Sequence, residues 1–146
     1  MATPTPSASG TPAVSALQAA LAAEHAAIYG YGVAGALLTG SRRAKAVQDW
    51  TAHQIARDTL SAMLRARRAQ PVPAADAYAI PFPVHGAHAA AALAVALEDG
   101  VTTTYLGLVA QTDPALRTFG ALAMQRSALR ATSWRGTTVA FPGLKR

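Results

Sequence analysis

The chain is 146 residues long, carries a formal net charge of +6 and has no cysteine. This length suits one domain with a buried core of its own. The lack of cysteine excludes disulfides, thiolate metal sites and thiol nucleophiles. The basic excess would suit nucleic acid or an acidic partner. However, its clusters at 42–45 and 65–68 mark the two ends of one predicted helix and lack interleaved aromatic residues. We therefore favour solvated helix ends, and keep nucleic-acid binding by this basic surface as a third, less favoured hypothesis.

The N-terminal segment predicts a disordered lead over 1–14, followed by a folded domain over 15–146. It is rich in Thr, Pro, Ser and Gly and lacks the basic and apolar regions of a secretory signal. The longest uncharged apolar stretch, between His25 and Arg42, is broken by glycines. It is shorter than the ~20 residues that a membrane span requires. We expect a soluble, cytoplasmic protein with no membrane partner.

The first two predicted helices cover about 16–39 and 42–69. Ser15 and Gln18 form a capping-box pattern at the start of the first helix. Gly40 is the residue type that commonly ends a helix, and Ser41 then suits the N-cap of the second helix. The two helices therefore form a hairpin with a tight turn near residue 40.

The last two predicted helices cover about 86–111 and 114–135. Asp113 followed by Pro114 is a strong start signal, because Asp caps the helix and proline suits its first position. Gly136 ends the last helix. Beyond it, we expect an extended tail that is packed by Val139 and Phe141.

The loop lengths predict the architecture. The segment 70–85 contains four prolines and cannot be helical. In extended form it can cross a bundle from end to end at ~3.3 Å per residue. Two antiparallel helical hairpins joined by a long Pro-rich crossover are typical of an all-α, ferritin-like four-helix bundle.

The two glutamates of the chain, Glu24 and Glu98, both lie in line with the apolar faces of their helices. At ~100° per residue, each shares a narrow sector with apolar residues and with one tyrosine, Tyr31 or Tyr105. A carboxylate on a buried face needs a partner, a proton or a metal. These two residues therefore mark the candidate site.

Distances from the turns predict which side chains lie level with the two glutamates. Arg57 lies level with Glu24, His53 lies one turn away on the same face, and Asp49 lies one turn beyond. In the second hairpin, Arg126 and Arg130 flank the level of Glu98. We expect the middle of the bundle to collect two carboxylates, one imidazole and three guanidinium groups.

Several segments resemble an actinobacterial family of ferritin-like domains of unknown function. They are Ala-Glu-His-Ala-Ala-Ile-Tyr-Gly-Tyr-Gly at 23–32, His53 with Arg57-Asp58, Leu-Glu-Asp at 97–99, the surroundings of Trp134 and the closing Phe-Pro-Gly at 141–143. The wider ferritin-like superfamily implies a four-helix bundle with a carboxylate-bridged di-metal centre. Its pattern is one Glu from each of two helices and Glu-x-x-His from each of the other two.

The sequence departs from that ligand pattern. Glu24, Glu98 and His53 match it, but Trp50 replaces the glutamate three residues before the histidine. The last helix has neither Glu nor His and offers arginines instead. Metal ions beside guanidinium groups would be repelled, so we do not expect an ordinary di-metal ferroxidase.

We weigh two functions from different classes and leave open whether the chain is an enzyme. The first is a non-redox binding or structural protein without a cofactor or identified small-molecule substrate, in which a buried ion-pair core replaces the metal centre. That core consists of Glu24, His53, Arg57, Glu98, Arg126 and Arg130. The alternative is an oxidoreductase with a reduced iron or manganese site on Glu24, Asp49, His53 and Glu98. By resemblance we also expect a homodimer, for which Val47 and Ile55 are interface candidates.

Overall fold

The structure is a computed structural model that describes residues 10–143. Within this span the chain forms four α-helices and no strand: α1 Pro12–Ala36, α2 Gly40–Ala66, α3 Gly86–Val109 and α4 Pro114–Arg135. The all-α prediction and the bounds of α4 are confirmed. Asp113 caps α4 by accepting a hydrogen bond from the Ala115 amide at 2.9 Å, and Gly136 ends it with φ 81°.

The start of α1 differs from the prediction. Thr11 is the N-cap and accepts a hydrogen bond from the Val14 amide at 3.3 Å, while Pro12 occupies the first turn. The Ser15 capping box was therefore wrong, and residues 12–14 belong to α1 instead of the lead. Proline has the backbone angle of a first helical residue and no amide to leave unpaired, so it starts the helix earlier. The rest of the predicted disordered lead, at 1–9, lies outside the described residues.

The ends around the first hairpin also shift. α1 stops at Ala36 rather than at 39, and Thr39 rather than Ser41 precedes α2. α2 ends at Ala66 instead of 69. The reason is that Arg68 adopts a left-handed backbone conformation with φ 58°, which is incompatible with a right-handed α-helix.

Contacts between the helices establish the topology. Along α1 and α2, Tyr31 approaches Asp49 and Glu24 approaches His53, so these helices are antiparallel. Along α1 and α3, Tyr31 meets Glu98 and Glu24 meets Tyr105, so this pair is antiparallel too. α2 and α3 therefore run in the same direction, and the crossover between them has to return along the bundle.

The crossover is fixed to the bundle by side chains at both of its ends. Gln18 donates to the Gln70 carbonyl at 2.6 Å and accepts from the Val72 amide at 2.8 Å. Ile80, Phe82 and Val84 pack against buried residues near the start of α3. Through these contacts the Pro-rich segment covers core surface without being helical.

The prediction for the C-terminal tail was wrong. Val139 is 38% exposed and Phe141 69% exposed, so neither packs the tail. Contact with α3 comes instead from Gly143, whose backbone lies against Thr102 and accepts a hydrogen bond from Thr103. The φ of 76° at Gly143 and this close approach both favour glycine.

The core consists of two apolar clusters with polar residues between them. One cluster contains Leu60 of α2 and Val101 of α3, and the other contains Ala46 and Ala94 of the same helices. On α2 and α3, His53 and Glu98 fall between the two clusters. The candidate site is therefore a polar layer within an apolar bundle.

α3 is long and apolar enough to span a membrane by length and composition alone. It packs against both α1 and α4 and carries the buried Glu98. A core helix passes the same composition test, and 39% of the apolar window of α3 is buried within the bundle.

One side of the bundle is open. α1 packs against α2 and α3, and α3 packs against α4, whereas α2 and α4 meet mainly through long side chains, such as Trp134 on Asp49. We call the gap between them the α2–α4 groove. Polar residues of the core reach its floor.

Candidate functional site

His53 bridges the two glutamates at the centre of the bundle. Its Nδ1 lies 2.6 Å from Glu24 Oε2 and its Nε2 lies 3.1 Å from Glu98 Oε1. All three side chains are buried, with exposed fractions of 0% for His53, 2% for Glu24 and 0% for Glu98. An imidazole can donate to two carboxylates at once only when both ring nitrogens carry protons. The geometry therefore fits an imidazolium.

Electrostatics favours the same protonation state. Burial alone would lower the pKa of His53, but hydrogen bonds and charges of Glu24 and Glu98 raise that pKa from 6.5 to about 9. Burial alone would raise the pKa of Glu98, yet His53 and Arg130 hold it below its ordinary value. The centre is thus an ion network at neutral pH.

Two buried tyrosines each donate a hydrogen bond to one of the glutamates. Tyr31 of α1 donates to Glu98 Oε1 at 2.7 Å, and Tyr105 of α3 donates to Glu24 Oε1 at 2.7 Å. Burial and the neighbouring carboxylates raise the pKa of both phenols far above its ordinary value, so they remain donors. Each glutamate is followed by a tyrosine seven residues later, and the antiparallel packing of α1 and α3 crosses the two pairs.

Arg130 of α4 completes the network. Its Nε donates to Glu98 Oε1 at 2.7 Å and its Nη2 donates to Ser127 Oγ at 3.0 Å. Glu98 Oε1 consequently accepts from a phenol, an imidazolium and a guanidinium. Glu98 Oε2 is buried without a partner among the described side chains. All four helices contribute to this one cluster.

A second polar cluster, centred on the carboxylate of Asp49, adjoins the first. Asp49 Oδ2 accepts from Lys45 Nζ at 2.8 Å and from Trp134 Nε1 at 2.8 Å. The Trp134 indole also lies 3.1 Å from the Tyr31 hydroxyl, which links the two clusters. The sequence analysis named Trp134 only as part of the family resemblance and did not include Lys45 in the site. The spacing of four residues between Lys45 and Asp49 was the available signal.

Two of the predicted network residues lie elsewhere. Arg57 pairs with its neighbour Asp58 at 2.8 Å, with 32% of the Arg57 side chain exposed. This surface pair avoids the desolvation cost of placing a further guanidinium in the core. Arg126 is exposed and lines the α2–α4 groove. The structure thus brings together Glu24, His53, Glu98 and Arg130, but neither Arg57 nor Arg126.

The predicted metal ligands do not fit a metal ion. Among residues 10–143, no group of three His, Asp or Glu side chains is arranged to hold one. Both nitrogens of His53 face carboxylate oxygens, whereas a ligating imidazole must offer a lone pair. Asp49 is held by Lys45 and Trp134, and Arg130 places a positive charge on Glu98. The iron or manganese site on Glu24, Asp49, His53 and Glu98 is therefore not favoured by this arrangement.

Comparison with known proteins assigns a family. The family described as Domain of unknown function (DUF4439) matches residues 16–146, which is nearly the whole chain. The chain belongs to the DUF4439 family. This match takes in every residue of the central network, from Glu24 to Trp134.

The DUF4439 chain also resembles a solved structure. The crystal structure of a conserved hypothetical protein from Mycobacterium tuberculosis superposes with a TM-score of 0.84 at 35% sequence identity. The alignment covers 87% of this chain and 97% of the mycobacterial one. A search of curated proteins found no match. The DUF4439 family and its fold are thereby established.

Proposed function

We propose that this protein is a non-redox binding or structural protein on a ferritin-like scaffold. In this proposal a network of carboxylates, imidazolium and guanidinium occupies the position that a metal pair occupies in the superfamily that the sequence resembles. The observation that carries the proposal is the double bridge of His53 between Glu24 and Glu98. The up-down-down-up order of the helices supports the ferritin-like scaffold.

Charge balance explains why such a network is self-sufficient. The two negative charges of Glu24 and Glu98 are matched by His53 and Arg130, which lie within hydrogen-bonding distance of them. A metal ion would require His53 to lose a proton, and the raised pKa of His53 opposes that loss. It would also have to share Glu98 with a guanidinium. The network therefore performs the neutralisation that a bound cation would otherwise perform.

The consequence of this network is a scaffold whose four helices depend on one another. Each helix supplies at least one member, and removing one would strand a buried charge at a cost of about 3–5 kcal/mol. Replacing the entire network by apolar residues would cost much less. The network thus specifies one arrangement of the helices. In this proposal the function depends on the binding surfaces that the arranged helices form.

Metal content per chain tests the proposal. Untagged protein would be expressed with added iron and manganese and measured by plasma mass spectrometry. Its melting temperature would also be recorded with and without chelator. We expect no stoichiometric metal and no effect of the chelator. About one or two ions per chain, lost in Glu24→Ala but retained in the matched surface variant Asp76→Ala, would contradict the proposal and support the oxidoreductase.

The assembly and the location of the protein stay predictions. Val47 and Ile55, the candidates for a homodimer interface, are 54% and 64% exposed, as such an interface requires in the free chain. Gel filtration with light scattering would detect the homodimer, and cell fractionation would test the cytoplasmic location.

A further inference from the structure

The α2–α4 groove contains a cavity of about 230 Å³ that opens to solvent. Ile55 of α2 and Leu122 of α4 flank it, and Phe119 lies deeper on the α4 side. Ile55 is 64% exposed and Leu122 47% exposed. Neither side chain is among those that pack against the two buried apolar clusters. The walls thus offer apolar surface to a bound molecule.

The floor of the groove is polar but already satisfied. Glu24 reaches the cavity, yet one of its oxygens accepts from Tyr105 and the other lies against His53. A ligand therefore gains little by offering a donor to this carboxylate. Recognition of a polar group has to come from the walls.

The wall formed by α4 carries an uncompensated positive charge. Arg130 lines the cavity and is already paired with Glu98. Arg126, one turn earlier on α4, lines the same cavity, and none of the ion pairs among residues 10–143 includes it. Since the charges of Glu24 and Glu98 are balanced by His53 and Arg130, no carboxylate of the network remains to balance the charge of Arg126. A groove with apolar walls and one free guanidinium suits one anionic group attached to an apolar body.

We propose that the α2–α4 groove binds a small organic monocarboxylate with an apolar body, such as a medium-chain fatty acid. The carboxylate pairs with Arg126, and the apolar part lies between Ile55 and Leu122. This inference rests on the proposed function, because a metal-free core keeps Glu24 and Arg130 engaged at the floor. An apolar cavity of about 150 Å³ holds benzene, which has six carbons, so a cavity of about 230 Å³ has room for an eight-carbon chain.

A second copy of the chain suits this groove less well. In a two-fold symmetric dimer the same patch faces itself, so an interface at this groove would bury both copies of Arg126 without supplying a free carboxylate from the groove walls. Like charges held together in a desolvated interface are costly, and the chain already carries a net charge of +6. Charge complementarity therefore favours an anion over self-association at this site.

Isothermal titration with octanoate tests the proposal, using chelator-treated protein. Octylamine and octanol serve as probes with the same chain and a different head group. We expect octanoate to bind at one site per chain and at least tenfold more tightly than either of the other probes, because only a carboxylate pairs with the guanidinium. Equal binding of octylamine, or no binding of octanoate, would overturn the proposal.

Matched variants separate the groove from the general surface. Arg126→Gln should weaken octanoate binding roughly tenfold or more, whereas Arg117→Gln, also exposed on α4, should leave it unchanged. Leu122→Asp should abolish binding, while Leu129→Asp, at a more exposed leucine of α4 outside the cavity, should not. Unchanged binding in both Arg126→Gln and Leu122→Asp, with circular dichroism showing that both variants are folded, would overturn the proposal.

The remaining outcomes distinguish the two proposals. If sedimentation shows a dimer that Leu122→Asp dissociates and octanoate does not, the groove is a self-interface and this inference is wrong. Failure of octanoate to bind a folded, metal-free chain contradicts the inference alone. Octanoate binding that requires added iron or manganese contradicts the proposed function instead.

Discussion

Raising the pH should weaken the folded state through His53. Its pKa is about 9 in the folded chain against an ordinary value of 6.5. Because the folded value is the higher one, the stabilisation is fully present below pH 6.5 and is lost as the pH rises through about 9. Within that window the folded chain holds a proton that the unfolded chain has released.

The magnitude follows from the width of the window. One proton of difference lowers the free energy of unfolding by about 1.4 kcal/mol for each pH unit. Between the two pKa values, the loss sums to about 3 kcal/mol. His53 is fully buried, so solvent does not screen this effect as it would at the surface. A loss of this size is a large fraction of the stability of a domain.

Urea unfolding followed by circular dichroism measures this loss at several pH values between about 6 and 9. His53→Gln should be less stable at neutral pH and should lose most of the pH dependence. His25→Gln is the matched control, since His25 contacts the crossover at the Val72 carbonyl rather than a carboxylate, and it should keep the slope. A wild-type stability that is flat or rises across this window would refute the reasoning.

Two further predictions concern the network and the close packing of the helices. Glu98→Gln should lower the free energy of unfolding by about 3–5 kcal/mol, because it leaves Arg130 without its carboxylate and His53 with Glu24 alone, whereas Arg57→Gln should change it little. Urea midpoints of the two variants test this, and equal midpoints would count against the buried network. Gly120→Ala should destabilise by about 1–3 kcal/mol, since its new methyl would lie 2.8 Å from a side-chain carbon and 3.1 Å from a backbone nitrogen of α3. Gly32→Ala has open space and should instead stabilise by about 0.5–1 kcal/mol; thermal melts that show the same sign for both would contradict the packing argument.

Much of the fold could be predicted from the sequence because the helical signals are periodic and local. Asp113 with Pro114 set the start of α4, and the prolines of 70–85 required a long crossover. The burial of Glu24 and Glu98 followed from their place on apolar faces. The start of α1 was mispredicted because Ser15 and Thr11 both suit an N-cap and only the neighbouring Pro12 decides between them.

The network could be predicted only in part. Counting from the turns gives the level of a side chain along the bundle, but it does not give the direction of a long, flexible one. Arg57 lies near the right level and turns to Asp58, while Arg126 turns to the groove. The crossed tyrosine pairs depend on α1 and α3 being antiparallel neighbours, which is a tertiary property.

The protonation state of His53 is the most direct test of the account. Nitrogen NMR on histidine-labelled protein near neutral pH would report both ring nitrogens, and His53→Gln would assign the signals. The account predicts two protonated nitrogens on His53, with shifts that neither chelator nor added iron or manganese alters. A neutral His53 ring, or one whose signals move on adding metal, would contradict the claim that an imidazolium holds the centre of this bundle.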